Sequence, residues 1–183
     1  GIDRVYLVAP SSTADRVVRH SRAPVWVVPA TESSAAEEPF RSLLVAVDFS
    51  PVSARSLEIA ANLARKNGGE LHLVHVLPTN YRGDSNSPCS DDLETAQTTV
   101  MANDGKARLH RVASAITGVT VHEHVRVAQR SIHEEILDAA RDTKASGIVM
   151  GSHSRSVIDQ MVLGSTAERV SKRTTVPLLI VRG

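Results

Sequence analysis

From Ser42 to Val181 short apolar runs alternate with helix-patterned stretches, and that alternation confines the chain to one class of fold. Ser42 to Val47 (SLLVAV), Glu70 to Val76 (ELHLVHV), Val119 to Val127, Ile148 to Met150 and Pro177 to Val181 read as strands. Between them, Ser50-Pro51 starts a helix that Gly68-Gly69 stops, and its Leu57, Ala60, Ala61 and Ala64 share one face. Asp92 caps a long helix to about Thr117, with Leu109, Val112, Ala113 and Ile116 on its apolar face and Gly118 at its end. Ser131 and Glu134 form a capping box ahead of Ile132, Ile136, Leu137 and Ala140, and Ser165 to Thr174 is the last helix. Strands and helices in strict alternation make right-handed crossovers, and so a parallel sheet with helices on both faces. Val119 to Val127 carries valines on one side and polar residues on the other, which suits an edge strand.

Within this pattern Gly147 to Thr166, GIVMGSHSRSVIDQMVLGST, is where a ligand is expected. The strand ends in Gly151, which lets backbone approach a ligand closely, and Gly164-Ser165-Thr166 opens a helix. The first N–H groups of a helix have no partner within it, and its dipole favours an anion there.

The spacing of Gly151, two residues, Ser154, nine residues, Gly164 and Ser165 resembles the ATP-binding signature of the universal stress protein family. That signature is glycine, two residues, glycine, nine residues, then glycine with Ser or Thr; Ser154 stands here in place of the middle glycine. The resemblance covers Arg41 to Arg182 and implies an open, Rossmann-like sheet of five parallel strands in the order 3-2-1-4-5. Direction of growth reverses between strands 1 and 4, and ligands of such sheets bind at the strands' carboxyl ends beside that switch point. Asp48 ends strand 1 and Gly151 ends strand 4. The resemblance then implies ATP, with or without magnesium, its base between Asp48 and Val76 and its ribose beside Ala46 and Gly151, with Met150 also among the binding residues. Its phosphates would lie on Ser154, Gly164, Ser165 and Thr166, with Arg155 as a possible added charge. Asp48 also reads as a helix-capping carboxylate, and the two roles are compatible.

A shortened echo of the same unit precedes it. STADRVVRHSRAPVWVV from Ser12 keeps register with STAERVSKRTTVPLLIV from Ser165, the mark of tandem copies. Asp3 to Ala9 reads as a strand, Ser12 to Arg22 as a helix and Val25 to Val28 as a strand, but only one residue separates the equivalents of Gly151 and Gly164. The expected layout is a remnant of a preceding repeat over 1–29, a linker over 30–40 and a universal stress protein domain over 41–183, with the remnant adding a strand and a helix. The chain begins with Gly1, which points to a processed or truncated start; a decayed first copy is the other reading. In the family's dimers the last strands of two domains pair antiparallel, so Val25, Trp26, Val27 and Val28 are expected to pair with Leu178, Leu179, Ile180 and Val181. That pairing makes either a homodimer or an intrachain pseudo-dimer.

Other chemistries find little support. With 21 Lys and Arg against 20 Asp and Glu there is no basic field for nucleic acid or an anionic membrane, and no apolar run is long enough to span a bilayer. Cys89 is the single cysteine and fits a reducing, cytoplasmic setting. It lies in Leu77 to Asp92, which reads as an exposed, mobile loop, and no histidine is assigned to activate it. No Walker lysine follows the glycines and no nucleophile elbow is present. Of eight histidines, His72 and His75 point to opposite faces of one strand, while His122 and His124 share a face with no Cys or carboxylate at a recognisable zinc spacing, so no metal site is expected. The functional expectation is a nucleotide-binding regulatory or protective factor, not an enzyme beyond slow incidental ATP hydrolysis. The alternative, which Ser154 favours, is a dimerisation or scaffold module that binds no nucleotide.

Overall fold

The computed structural model describes residues 6–8, 16–18, 20–21, 23–29, 40–78, 91–153 and 163–182. The expected linker over 30–40 (Phe40 apart), most of the loop between Leu77 and Asp92, and Ser154, Arg155 and Cys89 lie outside these residues. The strands are β1 (Tyr6–Val8), β2 (Val25–Val27), β3 (Ser42–Ala46), β4 (Glu70–Leu77), β5 (Thr120–Val127), β6 (Gly147–Gly151) and β7 (Leu178–Val181). The helices are α1 (Pro51–Asn67), α2 (Asp91–Ser114), α3 (Ile132–Asp142) and α4 (Ser165–Arg173), and residues 16–18 and 20 are also helical.

All seven strands join one sheet in the order β1-β2-β7-β6-β3-β4-β5. Pairing is parallel from β7 through β6, β3 and β4 to β5, which forms one edge. β2 meets β7 antiparallel, Val25 opposite Ile180, Trp26 opposite Leu179 and Val27 opposite Leu178, and β1 pairs parallel with β2. The sheet is therefore larger than the five strands expected. Both N-terminal stretches read as strands join the sheet, where the remnant was expected to add one; they are shorter than expected, Tyr6–Val8 within Asp3 to Ala9 and Val25–Val27 where Val28 was included.

Local chemistry sets the element ends. Ser50 caps α1 by accepting from the Ser53 N–H at 3.1 Å, and Gly68 closes it at φ 61°, a left-handed conformation that costs glycine little. A Cβ on Gly69 would stand 2.3 Å from the Phe40 carbonyl oxygen, so only glycine lets the chain enter β4 beside β3. At α3 the capping box is complete: the Ser131 hydroxyl takes the Glu134 N–H and the Glu134 carboxylate takes the Ser131 N–H.

Side chains alternate between two cores. On one face Leu44, Ile148, Leu178 and Ile180 pack with Ile136, Ala139 and Val170 of α3 and α4. On the other Leu43, Val45, Leu71, Leu73 and Leu179 pack with Ala60, Ala64 and Leu109 of α1 and α2. Each fully buried leucine stabilises the fold by about 1.5–3 kcal/mol, and Leu43, Leu44, Leu71, Leu73 and Leu109 have no exposed surface. Trp26 joins the second core at 7% exposure, its ring 5.5 Å from Phe40. Arg182 donates from Nε to the Ser21 carbonyl at 3.2 Å, a second tie between the N-terminal segment and the end of the chain.

Candidate functional site

A cleft opens at the carboxyl ends of β3, β4 and β6, beside the point where the sheet's direction of growth reverses. Its floor is apolar, formed by Ala46, Val76, Ile132, Ile136 and Met150. Asp48 and Ser53 line one side, and Gly151 to His153 with Gly164 to Ala167 line the other. Of the nine residues expected at a ligand, Ala46, Asp48, Val76, Met150, Gly151, Gly164, Ser165 and Thr166 all border this one cleft, and Ser154 lies outside the described residues.

Asp48 holds its position through two bonds. Its Oδ1 accepts from the Ser50 N–H at 2.9 Å, and its own N–H donates to the Ser53 hydroxyl at 3.3 Å. The next residue, Phe49, sits at φ 61°, a conformation that costs a bulky residue on the order of 1–3 kcal/mol. Aromatic packing holds it there: the His75 ring lies 4.5 Å away and the Arg108 guanidinium 4.0 Å above its face. His75 Nδ1 lies 2.7 Å from the Val47 carbonyl oxygen, which can only accept, so the ring N–H donates. The strand-to-helix turn that presents Asp48 is thus clamped from behind.

Opposite Asp48, α4 begins with Gly164 as its N-cap and no side-chain cap. The Gly164 N–H is bonded to the Ser152 carbonyl at 2.7 Å, and the Ser152 N–H to the Val181 carbonyl at 2.8 Å. These bonds fix the turn and leave the first-turn N–H groups of α4 beside the cleft, an arrangement suited to an anion. Ser152 is fully buried, with its hydroxyl 2.8 Å from His153 Nδ1.

The two glycines have structural reasons of their own. A Cβ on Gly151 would stand 3.0 Å from Val52 Cγ1, and one on Gly164 would stand 3.1 Å from the Ser152 carbonyl and 3.2 Å from the His153 Cα. At both positions a side chain would be tight against its neighbours, which would have to give by a few tenths of an ångström, before any ligand is considered. Ser53, Ile132, Ile136, Ser152, His153 and Ala167 were not singled out from sequence, yet all line the cleft. His153, two residues past Gly151, carried a usable signal; Ile132 and Ile136 read only as core positions.

The histidines correct one expectation. His122 does have a carboxylate nearby, because parallel pairing of β4 with β5 sets His72 opposite His122 and brings Glu70 alongside. Among the described residues no helix is long and apolar enough to cross a membrane.

The sequence model described as universal stress protein family matches residues 39–182. The universal stress protein YxiE of Bacillus subtilis is 30% identical over 151 residues, covering 78% of this chain and 99% of that protein. The crystal structure of a universal stress protein from Archaeoglobus fulgidus aligns with a TM-score of 0.63 at 31% identity, over 94% of this chain and 55% of its own length. This chain therefore spans about half of that protein. A universal stress protein structure from the same organism, in complex with dAMP, aligns at 0.54 and 27% identity over 78% of this chain and 98% of its own.

Proposed function

As the chain belongs to the universal stress protein family, we propose that its cleft binds an adenine nucleotide, ATP with or without magnesium, and that binding serves a regulatory or protective role. The observation that carries this reading is the convergence of Asp48, Val76, Gly151 and the Gly164 to Thr166 helix start on one cleft. An apolar floor of Ala46, Val76, Ile136 and Met150 suits a flat heteroaromatic base, and the Asp48 carboxylate suits donors on the base or ribose. The uncapped start of α4, with the Ser165 and Thr166 hydroxyls, suits the phosphates. The dAMP complex of the Archaeoglobus fulgidus relative supports the same ligand class.

We assign no catalytic residue. Any ATP hydrolysis is expected to be slow and incidental.

Calorimetric titration with ATP and magnesium tests the proposal. Saturable binding by the native chain supports it. Ser154→Gly, which restores the family spacing, is expected to strengthen binding; absence of binding by both proteins removes the nucleotide reading.

A second reading has its own observation. The antiparallel β2–β7 pairing supports a reading in which the N-terminal strand takes the part of a second domain's last strand, as an intrachain pseudo-dimer interface. A scaffold of this kind needs no nucleotide, and a chain that fails to bind ATP while keeping this pairing would be that scaffold.

A further inference from the structure

Along the edge of the sheet formed by β5, parallel pairing with β4 gathers Glu70, His72, His122 and His124 on one face, and none of the four lines the cleft. His72 Nε2 lies 3.3 Å from Glu70 Oε1, and His122 Nε2 lies 3.2 Å from Glu70 Oε2. The His72 and His122 rings stack with centroids 4.7 Å apart. One ligand atom each from Glu70, His72 and His122 falls within 4.8 Å of the others. The Glu70 and His122 side chains are 42% and 45% exposed, so the group opens to solvent, whereas His72 is held almost inside the protein at 11%.

We propose that Glu70, His72 and His122 form a binding site for a divalent first-row transition ion, zinc in the first instance, that clips the edge strand to the sheet. Two imidazoles and one carboxylate are a ligand set that zinc accepts, with bonds of about 2.0–2.2 Å and a remaining position for water. Tetrahedral bonds of that length put donors roughly 3.3–3.5 Å apart; here each imidazole lies 3.2–3.3 Å from its own Glu70 oxygen, so a small turn of the carboxylate brings one oxygen and both nitrogens round an ion.

His124 supplies the outer partner. Its Nε2 lies 3.1 Å from His72 Nδ1. Two proton arrangements satisfy this contact. Without an ion, His124 Nε2–H donates to His72 Nδ1, and His72 Nε2–H and His122 Nε2–H donate to the Glu70 carboxylate. With an ion, His72 carries its proton on Nδ1 and donates it to His124 Nε2, which frees the His72 Nε2 lone pair for the metal; His122 likewise moves its proton to Nδ1. A ligating histidine whose second nitrogen donates to a fixed partner is the arrangement that orients metal ligands. Arg126, whose charge acts on His124, is engaged by Asp142 at 2.5 Å and Glu135 at 3.8 Å, which offsets its repulsion of an incoming ion.

Titrating the whole chain, without nucleotide, with zinc chloride in a calorimeter tests the site. One ion per chain is expected, with a matching rise in melting temperature that a chelator reverses. The same protein loaded with cobalt(II) should show the visible absorption of a four-coordinate ion. His122→Ala and Glu70→Gln, both at exposed positions, should keep the circular dichroism spectrum and weaken zinc binding by at least roughly tenfold, the smallest loss expected even of an outer-shell change. His20→Ala, on the segment at the opposite end of the sheet, should bind as the native chain does. Equal zinc affinity in native and His122→Ala chains would overturn the proposal, as would absence of saturable one-to-one binding.

Discussion

Gly164 is the residue where structure and proposed ligand meet most closely. A valine there would drive its Cβ into the Ser152 carbonyl and the His153 backbone, so the start of α4 must move. We expect Gly164→Val to weaken ATP binding by at least tenfold, about 1.4 kcal/mol, with helix content unchanged by circular dichroism. His133 gives a pH-dependent counterpart. Arg173 can only donate, so at 3.2 Å it makes His133 Nε2 an acceptor, and the ring's one proton sits on Nδ1, 2.7 Å from the Ser131 hydroxyl. Burial, then the Arg173 charge, hold this imidazole below its ordinary value, against a smaller opposing pull from Glu134. The unfolded chain therefore takes up the proton first. Its contribution is constant above the unfolded value of about 6.5 and is lost as pH falls from there towards the lower folded value. His133→Gln is expected to reduce the loss of urea-measured stability between pH 7 and pH 5; an unchanged slope would assign that loss to other groups. At this scale the sequence was a partial guide. Glycine at 151 and 164 was readable as special, but Val52 and the Ser152–His153 backbone, which make it special, are contacts that no local pattern announces.

Element boundaries were far more legible, because capping chemistry is local. Ser50-Pro51, Gly68 and the Ser131/Glu134 box mark the ends of α1 and the start of α3 within a few residues of sequence, and the structure uses each of them. Ser131→Ala removes the acceptor for the Glu134 N–H and the hydroxyl that donates to the Glu134 carboxylate at 2.7 Å. It should cost about 1 kcal/mol, measured as a lower urea midpoint with an unchanged slope. What was not legible is register between strands far apart in the chain. Glu70 and His72 are some fifty positions from His122, and only the β4–β5 pairing makes them neighbours. The same blindness hid β1: a short apolar segment reads as a strand, but nothing in it says that it will extend the sheet beside β2.

For the whole molecule, the β2–β7 pairing decides what happens to the apolar strand at the end of the domain. Leu178, Leu179, Ile180 and Val181 are at most 1% exposed with β2 in place. Deleting residues 1–29 would uncover the backbone donors and acceptors of β7, and open apolar edges recruit other strands. The shortened chain is expected to dimerise or aggregate where the full chain does not, which light scattering after size-exclusion chromatography would show; a monodisperse monomer would mean that β7 tolerates an open edge. Trp26 lies at that joint, and it is the only tryptophan in the sequence. Its indole emission therefore comes from a single place, against Phe40 and away from water. Undocking of the N-terminal segment would move that ring into solvent and shift its emission to the red, while the rest of the sheet contributed nothing to the signal. The protein thus carries a native optical gauge of whether its two ends are joined, readable without a label and during any titration of the cleft or of the edge strand.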